Sequence, residues 1–246
     1  MKKKFLFLMT LLAVSLFALA EMTIYVYKKD GTRVPYVASA VDSIGFVDVT
    51  PPEAVDLGLP SGTKWANMNV GANKPEDFGD YFAWGETTPK STYNWSTYKW
   101  CKGSDDTMTK YCTSSSYGTV DNKTTLDLSD DAAYVNWGTS WRMPTKAEQD
   151  ELRNTNFTTW TWITQNGVKG YKVTSKTSGN SIFLPAAGFR GNSDLYNAGS
   201  NGCYWGSSLY KINSSYAYYL YFNSDVVSSL SVYRYYGHSV RPVLAK

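Results

Sequence analysis

The side chains in this chain that could do covalent or metal chemistry are few: one histidine, three cysteines and two adjacent aspartate pairs. With His238 alone, a zinc site or a Ser-His-Asp triad would need unusual partners. Inside GHSVRPV, His238 reads as a strand position packed against tyrosine rather than as a general base. Asp105-Asp106 and Asp130-Asp131 are neighbours whose side chains diverge, so the first pair suits loop solvation and the second a helix start. Cys101 and Cys112 bracket a Gly/Ser/Asp-rich loop. In an exported chain they are expected to pair, stabilising by about 3 kcal/mol in the chain-entropy model. Cys203 is then left over, beside Trp205, as a small buried apolar group rather than a reactive thiol.

The chemistry the sequence offers more freely is non-covalent recognition. In CYWGSSLYKINSSYAYYLYFNSDVVSSLSVYRYYGHSVRPV, Cys203 to Val243, tyrosine alternates with Ser and Asn and there is almost no Glu or Lys. Ten of the 20 tyrosines lie beyond position 195. Tyrosine gives a broad amphipathic contact at little rotamer cost, and Ser and Asn give adaptable hydrogen bonds. A framework of Trp205, Leu220, Phe222, Arg234, Gly237 and Val240 to Val243 runs between them. The candidate ligand contacts are Tyr196, Asn197, Tyr204, Tyr210, Asn213, Ser215 and Tyr216. Tyr233 and Tyr235, alternating with Arg234 in a later strand, join them. The plainer alternative is that tyrosine is a good strand former. Between 217 and 222, Tyr218, Leu220 and Phe222 share one side, and Ala217, Tyr219 and Tyr221 the other. Leu220 and Phe222 favour theirs as the core side, and the assignment stays open. Arg234 and Arg241 either face ligand or pair with buried carbonyls or acids.

The elements that must position these residues follow from patterning. Residues 1–20 carry a basic start (Lys2, Lys3, Lys4), an apolar run Phe5 to Phe17 and a small-x-small pattern at Ala18 and Ala20, the marks of an export signal. Glu21 follows instead of Cys, so no lipoprotein anchor is expected. Residues 21–50 read as a small β unit: a hairpin turning at Asp30-Gly31, a return strand Val34 to Val37 and a third run Ile44 to Val49. Pro51-Pro52 marks the boundary to the main domain, 51–246. There, Trp65, Phe82 and Trp84 are expected core anchors, and residues 102–125 a long surface loop. One helix is expected from an N-cap at Ser129 to about Trp137. A second follows the capping box Thr145-Lys-Ala-Glu148 to about Arg153. Strands follow at Trp160 to Ile163, Lys169 to Thr174 and Ser181 to Leu184, ending at Pro185. No period of 20–50 residues marks a repeat array.

Charge excludes partners more firmly than it names them. Without the three leader lysines the chain carries 21 basic and 21 acidic residues, and no face collects Lys and Arg. Nucleic acid and anionic membrane are therefore poor partners. No segment after the leader has the length and apolarity of a membrane span.

Two stretches carry a family resemblance. DDAAYVNWGTSWRMPTKAEQDEL, Asp130 to Leu152, resembles the signature of the formylglycine-generating (sulfatase-modifying) family. Arg142-Met-Pro-Thr with Glu148 matches its Arg-Leu-Pro-Thr-x-x-Glu. Together DLGLPSGTKWANMNVGA, YFAWGET, SWRMPT, LPAAGFRG and GHSVRPV resemble the Fibrobacter succinogenes major paralogous domain family from about Asp56 to Val243. The resemblance implies an α+β, C-type lectin-like fold of the sulfatase-modifying subtype, with residues 21–50 as a short N-terminal β extension. The C-terminal segment is also similar to the variable region of lectin-fold proteins diversified by retroelements. Their Tyr, Ser, Asn, Asp and His positions form one ligand-binding surface. One protein sequence shows neither a reverse transcriptase nor a template repeat, so diversification itself stays open. The copper chemistry of the sulfatase-modifying relatives needs a pair of soft ligands. Cys203 alone occupies the matching region, so oxidase activity is not expected. Calcium in a lectin-type loop is the one cofactor left open, though no D-x-D-x-D-G pattern supports it.

The expectation is an exported, non-catalytic α+β protein whose C-terminal surface takes a protein or glycan on a cell, phage or host surface. The alternatives are a structural component of a surface appendage, with residues 21–50 as its docking piece, and a copper-dependent oxidase.

Overall fold

In the computed structural model of the protein, residues 23–27, 33–37 and 52–245 are described, the first two stretches as backbone only. The expected leader, the Asp30-Gly31 turn and the run Ile44 to Val49 lie outside the described residues. The chain divides into two units, Met1–Asp48 and Val49–Lys246. In the first, β1 (Thr23–Tyr27) pairs antiparallel with β2 (Arg33–Val37), Thr23 opposite Val37 and Tyr27 opposite Arg33.

The second unit is built of small antiparallel sheets. β3 (Ala54–Asp56), β4 (Lys64–Ala66), β5 (Trp141–Arg142) and β14 (Val243–Leu244) form a four-stranded sheet in the order β3-β4-β14-β5. The last strand of this unit thus lies between its first strands and its middle. A meander of β6 (Thr158–Gln165), β7 (Val168–Ser175) and β8 (Ser181–Pro185) makes the second sheet. β9 (Phe189–Gly191) and β10 (Asp194–Tyr196) form a short hairpin. The last meander is β11 (Gly202–Leu209), β12 (Tyr216–Phe222) and β13 (Val227–Tyr233), with a register irregularity between Trp205 and Leu209.

The expected α+β class is corrected here. Among the described residues of this unit, two α-helices of 6 and 7 residues, α1 (Ala132–Trp137) and α2 (Lys146–Leu152), stand against twelve strands. The architecture is β-dominated, and the lectin-type assignment inferred with that class is not carried further. The cause is local: Thr, Val and Tyr in period-2 runs, broken by Gly turns, leave only two capped segments to coil. α2 follows its capping box as expected: the Thr145 hydroxyl accepts from the Glu148 amide, and the Glu148 carboxylate from the Thr145 amide at 2.8 Å. α1 differs at its start. Asp131, not Ser129, caps it, accepting from the amides of Ala133 and Tyr134 at 2.9 and 3.0 Å, after a 3-10 turn at Leu128–Asp130.

Trp65, Phe82 and Trp84 are fully buried, as expected of core anchors. Leu57, Trp65, Val173, Leu184, Tyr204, Leu220 and Phe222 belong to one core cluster; Phe82, Trp84, Tyr111, Trp205, Ala217 and Val240 belong to a second. Residues 102–125 form the long loop expected, mostly at the surface and with a single 3-10 turn at Ser115–Tyr117, but it is pinned at three points. Met108, Tyr111 and Cys112 are buried, and the Asp121 carboxylate accepts from the amides of Tyr111 and Cys112, both at 2.9 Å. Among the described residues no helix is long and apolar enough to cross a membrane.

Candidate functional site

The C-terminal meander is fixed from both sides. Leu220 and Phe222 enter the first core cluster, while Ala217, with Tyr219 packed against it, joins the second. Both faces of β12 are therefore anchored, and what remains for solvent lies at its start and along its neighbours. Gly202 lies so close to Phe222 that a Cβ there would sit 2.0 Å from its ring. Backbone bonds hold the following segment: the amides of Phe82 and His238 each donate to the other's carbonyl at 3.0 Å, and the Trp205 amide donates to the Ser239 carbonyl at 3.0 Å.

The two C-terminal arginines are structural. Arg234 donates to the Tyr98 hydroxyl at 2.8 Å and to the carbonyls of Tyr111, Ser214 and Lys110 at 3.1, 2.8 and 3.0 Å. Arg241 donates to Asn69 Oδ1, the Ala66 carbonyl and the Phe183 carbonyl at 2.8, 3.1 and 2.9 Å. His238 is buried, stacked on Trp205 with ring centres 4.1 Å apart and inclined against Tyr219 at 4.8 Å. Burial lowers its imidazole from 6.5 to about 3.

Around this frame the aromatic rings form one continuous strip. Tyr218 meets Tyr210 edge to face at 5.3 Å, Tyr210 meets Tyr216 at 6.3 Å, and Tyr216 meets Tyr233 at 4.6 Å. Tyr233 stacks on Tyr235 at 5.6 Å, and Tyr235 leans on Tyr236 at 4.4 Å. Tyr236 meets Phe189 at 5.4 Å, which stacks on Tyr196 at 5.3 Å. Trp95 props the middle, edge-on to Tyr233 and Tyr235 at 5.4 and 4.8 Å. Tyr196 is exposed and the other tyrosines of the strip are half-buried. All but the closer Tyr235–Tyr236 pair sit in the separation range where aromatic quadrupoles favour offset or edge-to-face contact. Tyr216 is pushed up to about 12, first by its hydrogen bond with Tyr233 and then by burial, so its phenol is neutral at neutral pH.

The strip gathers Tyr196, Tyr210, Tyr216, Tyr233 and Tyr235 from the residues expected to meet ligand. Asn197 is exposed next to it in a left-handed conformation (φ 56°), and Asn213 is half-buried, its Oδ1 accepting from the Ser215 amide at 2.9 Å. Two of the expected contacts are corrected. Tyr204 lies in the core, stacked on Phe222 at 5.7 Å, because its hydroxyl reaches the Pro185 carbonyl at 2.6 Å and burial leaves no polar group unpaired. Ser215 is fully buried, its hydroxyl donating to Asn213 Oδ1 at 2.6 Å. Tyr235 and Arg234 are not strand residues either. β13 stops at Tyr233, and the Tyr236 amide closes a turn on the Tyr233 carbonyl at 3.2 Å. That turn brings Tyr236 into line with its neighbours.

Two recesses open beside the strip and share Phe189 and Tyr236. One, of about 260 Å³, is lined by Tyr196, Tyr235, Gly191 and Asn192 as well. The other, of about 140 Å³, reaches Tyr219, Tyr221, Val232 and His238. Phe189, Asn192, Tyr236 and Trp95 were not legible as site residues. Only the aromatic loading of STYNWSTYKW and the adjacency of Tyr235 and Tyr236 hinted at them.

The expected Cys101–Cys112 disulfide is also corrected, since all three cysteines are free. The two thiols serve different carbonyls: Cys101 donates to Trp95 at 3.2 Å, and Cys112 to Ser114 at 3.1 Å. Cys203 is buried, and burial pushes its thiol up to about 12, which keeps it protonated. Among the described residues no three His, Cys, Asp or Glu side chains are grouped as a metal site.

Against known proteins, a family model described as Domain of unknown function (DUF8237) matches residues 162–243, from within β6 to the first residue of β14. The matched stretch contains the whole C-terminal meander and the strip's tyrosines. The chain matches no curated protein and no solved structure.

Proposed function

We propose that this chain is an exported, non-catalytic binding protein of the adhesin type. Its tyrosine strip takes a protein or glycan ligand on a cell, phage or host surface. One observation carries the reading: half-buried tyrosines from β12, β13 and the loops beside them stand ring to ring from Tyr218 to Tyr236 and on through Phe189 to Tyr196. Packing between the rings limits their rotamers before any ligand arrives, which lowers the ordering cost of binding. The phenol hydroxyls bring donors and acceptors to a surface whose rings are otherwise apolar. Ile212, exposed at the tip of the loop between Tyr210 and Tyr216, adds an apolar contact at one end. The basic leader, its apolar run and the small-x-small pattern support export, and the near-zero charge of the rest disfavours nucleic acid.

The test uses the full chain, fluorescently labelled, against a panel of bacterial cells, phage particles, host cells and a glycan array. The wild type is expected to bind at least one target saturably. The triple variant Tyr196→Ala, Tyr210→Ala, Tyr216→Ala should keep its thermal transition and bind that target at least about tenfold more weakly, since aromatic anchors carry most of such energy. Equal binding by the folded triple variant would overturn the proposal.

A further inference from the structure

The larger of the two recesses takes its walls from the register of the β9–β10 hairpin. Phe189 pairs with Tyr196 and Gly191 with Asp194, so these four residues stand on one side of the hairpin. The intervening Arg190 alternates to the other side, where its guanidinium lies over the Tyr81 ring at 5.3 Å. Tyr235 and Tyr236, from the turn after β13, and Asn192 complete the lining of a space of about 260 Å³. Gly191 leaves the room for it: a Cβ there would sit 3.0 Å from Tyr236 Cε1 and 3.4 Å from Tyr196 Cε2. Asn192, Asp194 and Tyr196 are exposed, and Phe189, Tyr235 and Tyr236 are half-buried, so a ligand reaches the side chains that would hold it.

The rings make a corner: Phe189 and Tyr196 are stacked within 24°, and Tyr236 stands at 88° to Phe189. No Lys, Arg or His is among the lining residues. The Tyr196 hydroxyl donates to Asp194 Oδ2 at 3.4 Å, which brings a carboxylate beside the recess and leaves the phenol oxygen to accept. Asn192 adds one amide, whose Oδ1 accepts from Asn94 Nδ2 at 3.4 Å. Ring faces and a carboxylate both attract positive charge and repel anions. Inside the same chain, Arg234 shows the group that such surroundings take. It lies over Trp84, Tyr98 and Tyr111 at 4.9, 5.2 and 5.8 Å, with its Nε donating to the Tyr98 hydroxyl at 2.8 Å. A guanidinium is flat and weakly hydrated for a cation, so it stacks on rings while its five donors find scattered acceptors. A lysine ammonium is compact and held more strongly by water.

We propose that this recess seats the guanidinium of an arginine side chain presented by a protein ligand, stacked on the tyrosine rings and paired with Asp194. This rests on the binding reading above and narrows its ligand to a protein with an exposed arginine.

The full chain, ¹⁵N-labelled, is titrated at neutral pH and low salt with N-acetyl-argininamide and with N-acetyl-citrullinamide, its flat uncharged counterpart. Argininamide is expected to shift the backbone amide signals of Gly191, Asn192 and Tyr196 saturably. Citrullinamide, with the same shape and no charge, should bind about five- to tenfold more weakly. Asp194→Asn keeps an acceptor for the Tyr196 hydroxyl; it should weaken argininamide about two- to fivefold and leave citrullinamide unchanged. Gly191→Val, which fills the recess, should abolish both responses while the thermal transition is kept. No saturable shift with argininamide up to its solubility, equal affinity for the two amides, or full argininamide affinity in Asp194→Asn overturns the subsite. A methyl pyranoside that shifts these signals where argininamide does not would give the recess to a glycan and overturn it as well. If the subsite falls while the triple alanine variant still loses its cell target, the binding reading stands without it. Loss of the binding reading would show separately, in unchanged adhesion by the triple alanine variant.

Discussion

Arg234 and Arg241 take guanidinium groups into the interior with carbonyl, amide and phenol oxygens, not carboxylates, as partners. A guanidinium's five donors match such scattered acceptors, where an ammonium would leave some unpaired. His238 shows the opposite solution, a titratable group kept neutral by its surroundings. Its folded value is about 3 against the ordinary 6.5. Between those two values the unfolded chain binds a proton that the folded chain refuses. This contribution to stability is therefore fully present above pH 6.5 and is lost as pH falls toward 3. Urea unfolding between pH 7.5 and 5 should show stability falling with a slope that approaches about 1.4 kcal/mol per pH unit. In His238→Phe the slope over the same window should vanish. A flat wild-type profile would mean that the imidazole is open to protonation in the fold. Tyr204 shows why composition alone mislabels single residues. The type of residue marked it as a ligand contact, but one carbonyl within 2.6 Å made burial acceptable, and no sequence pattern displays that carbonyl.

At the scale of elements, α2 works as a joint between sheets. Burial tends to raise the Glu148 carboxyl, yet the Arg142 guanidinium and the Thr145 amide outweigh it and bring the group to about 2. Arg142 grips it with both terminal nitrogens, at 2.8 and 2.5 Å, and the Thr63 hydroxyl just before β4 donates to it at 3.0 Å. One residue on, Gln149 Nε2 donates to the Tyr204 carbonyl of β11 at 3.0 Å. A single short helix so ties β4, β5 and β11 together. Glu148→Ala removes a charge from a largely buried bidentate pair and should cost about 2–3 kcal/mol, short of the 3–5 of a fully buried pair. Chemical denaturation at pH 7 measures it. Because the folded value is depressed, the gap to wild type should be full above pH 4.5 and close as pH drops to about 2. A gap of the same size at pH 2.5 would show that the carboxylate's charge is not the cause. This helix was legible because a capping box is a local code, with both partners three residues apart. The pinning of the 102–125 loop was not. Its order comes from Asp121 clamping Tyr111 and Cys112, and from the Arg234 guanidinium reaching the Tyr111 carbonyl from more than 120 residues away. Hydrophilic composition suggested a surface loop, and pairing at that distance leaves no local trace. The site followed the same division: residue types foretold its tyrosines, while the turn at Tyr233 to Tyr236 that aligns them depends on tertiary contacts.

On the scale of the whole molecule, the chain's last residues decide whether the tyrosine face is held at all. β14 sits between β4 and β5, with Val243 opposite both Trp65 and Arg142, so these two residues join the start of the second unit to its middle. Just before it, Arg241 reaches Asn69, Ala66 and Phe183, and Val240 is buried in the second core cluster, its carbonyl accepting from the Val70 amide at 3.0 Å. Ser239 and His238 continue the line onto Trp205 and Phe82. The segment from His238 to Leu244 is thus the seam on which the sheets close, and the strip hangs from its upstream end at Tyr236. Removing residues 240–246 should leave β6 to β8 able to pair as a meander while opening both core clusters that need Val240 and Val243. The truncated chain is expected to lose its cooperative thermal transition and to expose apolar surface to a hydrophobic dye, with ligand binding lost as well. Removing only Lys246 should do neither. If the seven-residue truncation kept a cooperative transition near the wild-type temperature, the seam would be dispensable, and the strip would have to be held by β11 to β13 alone.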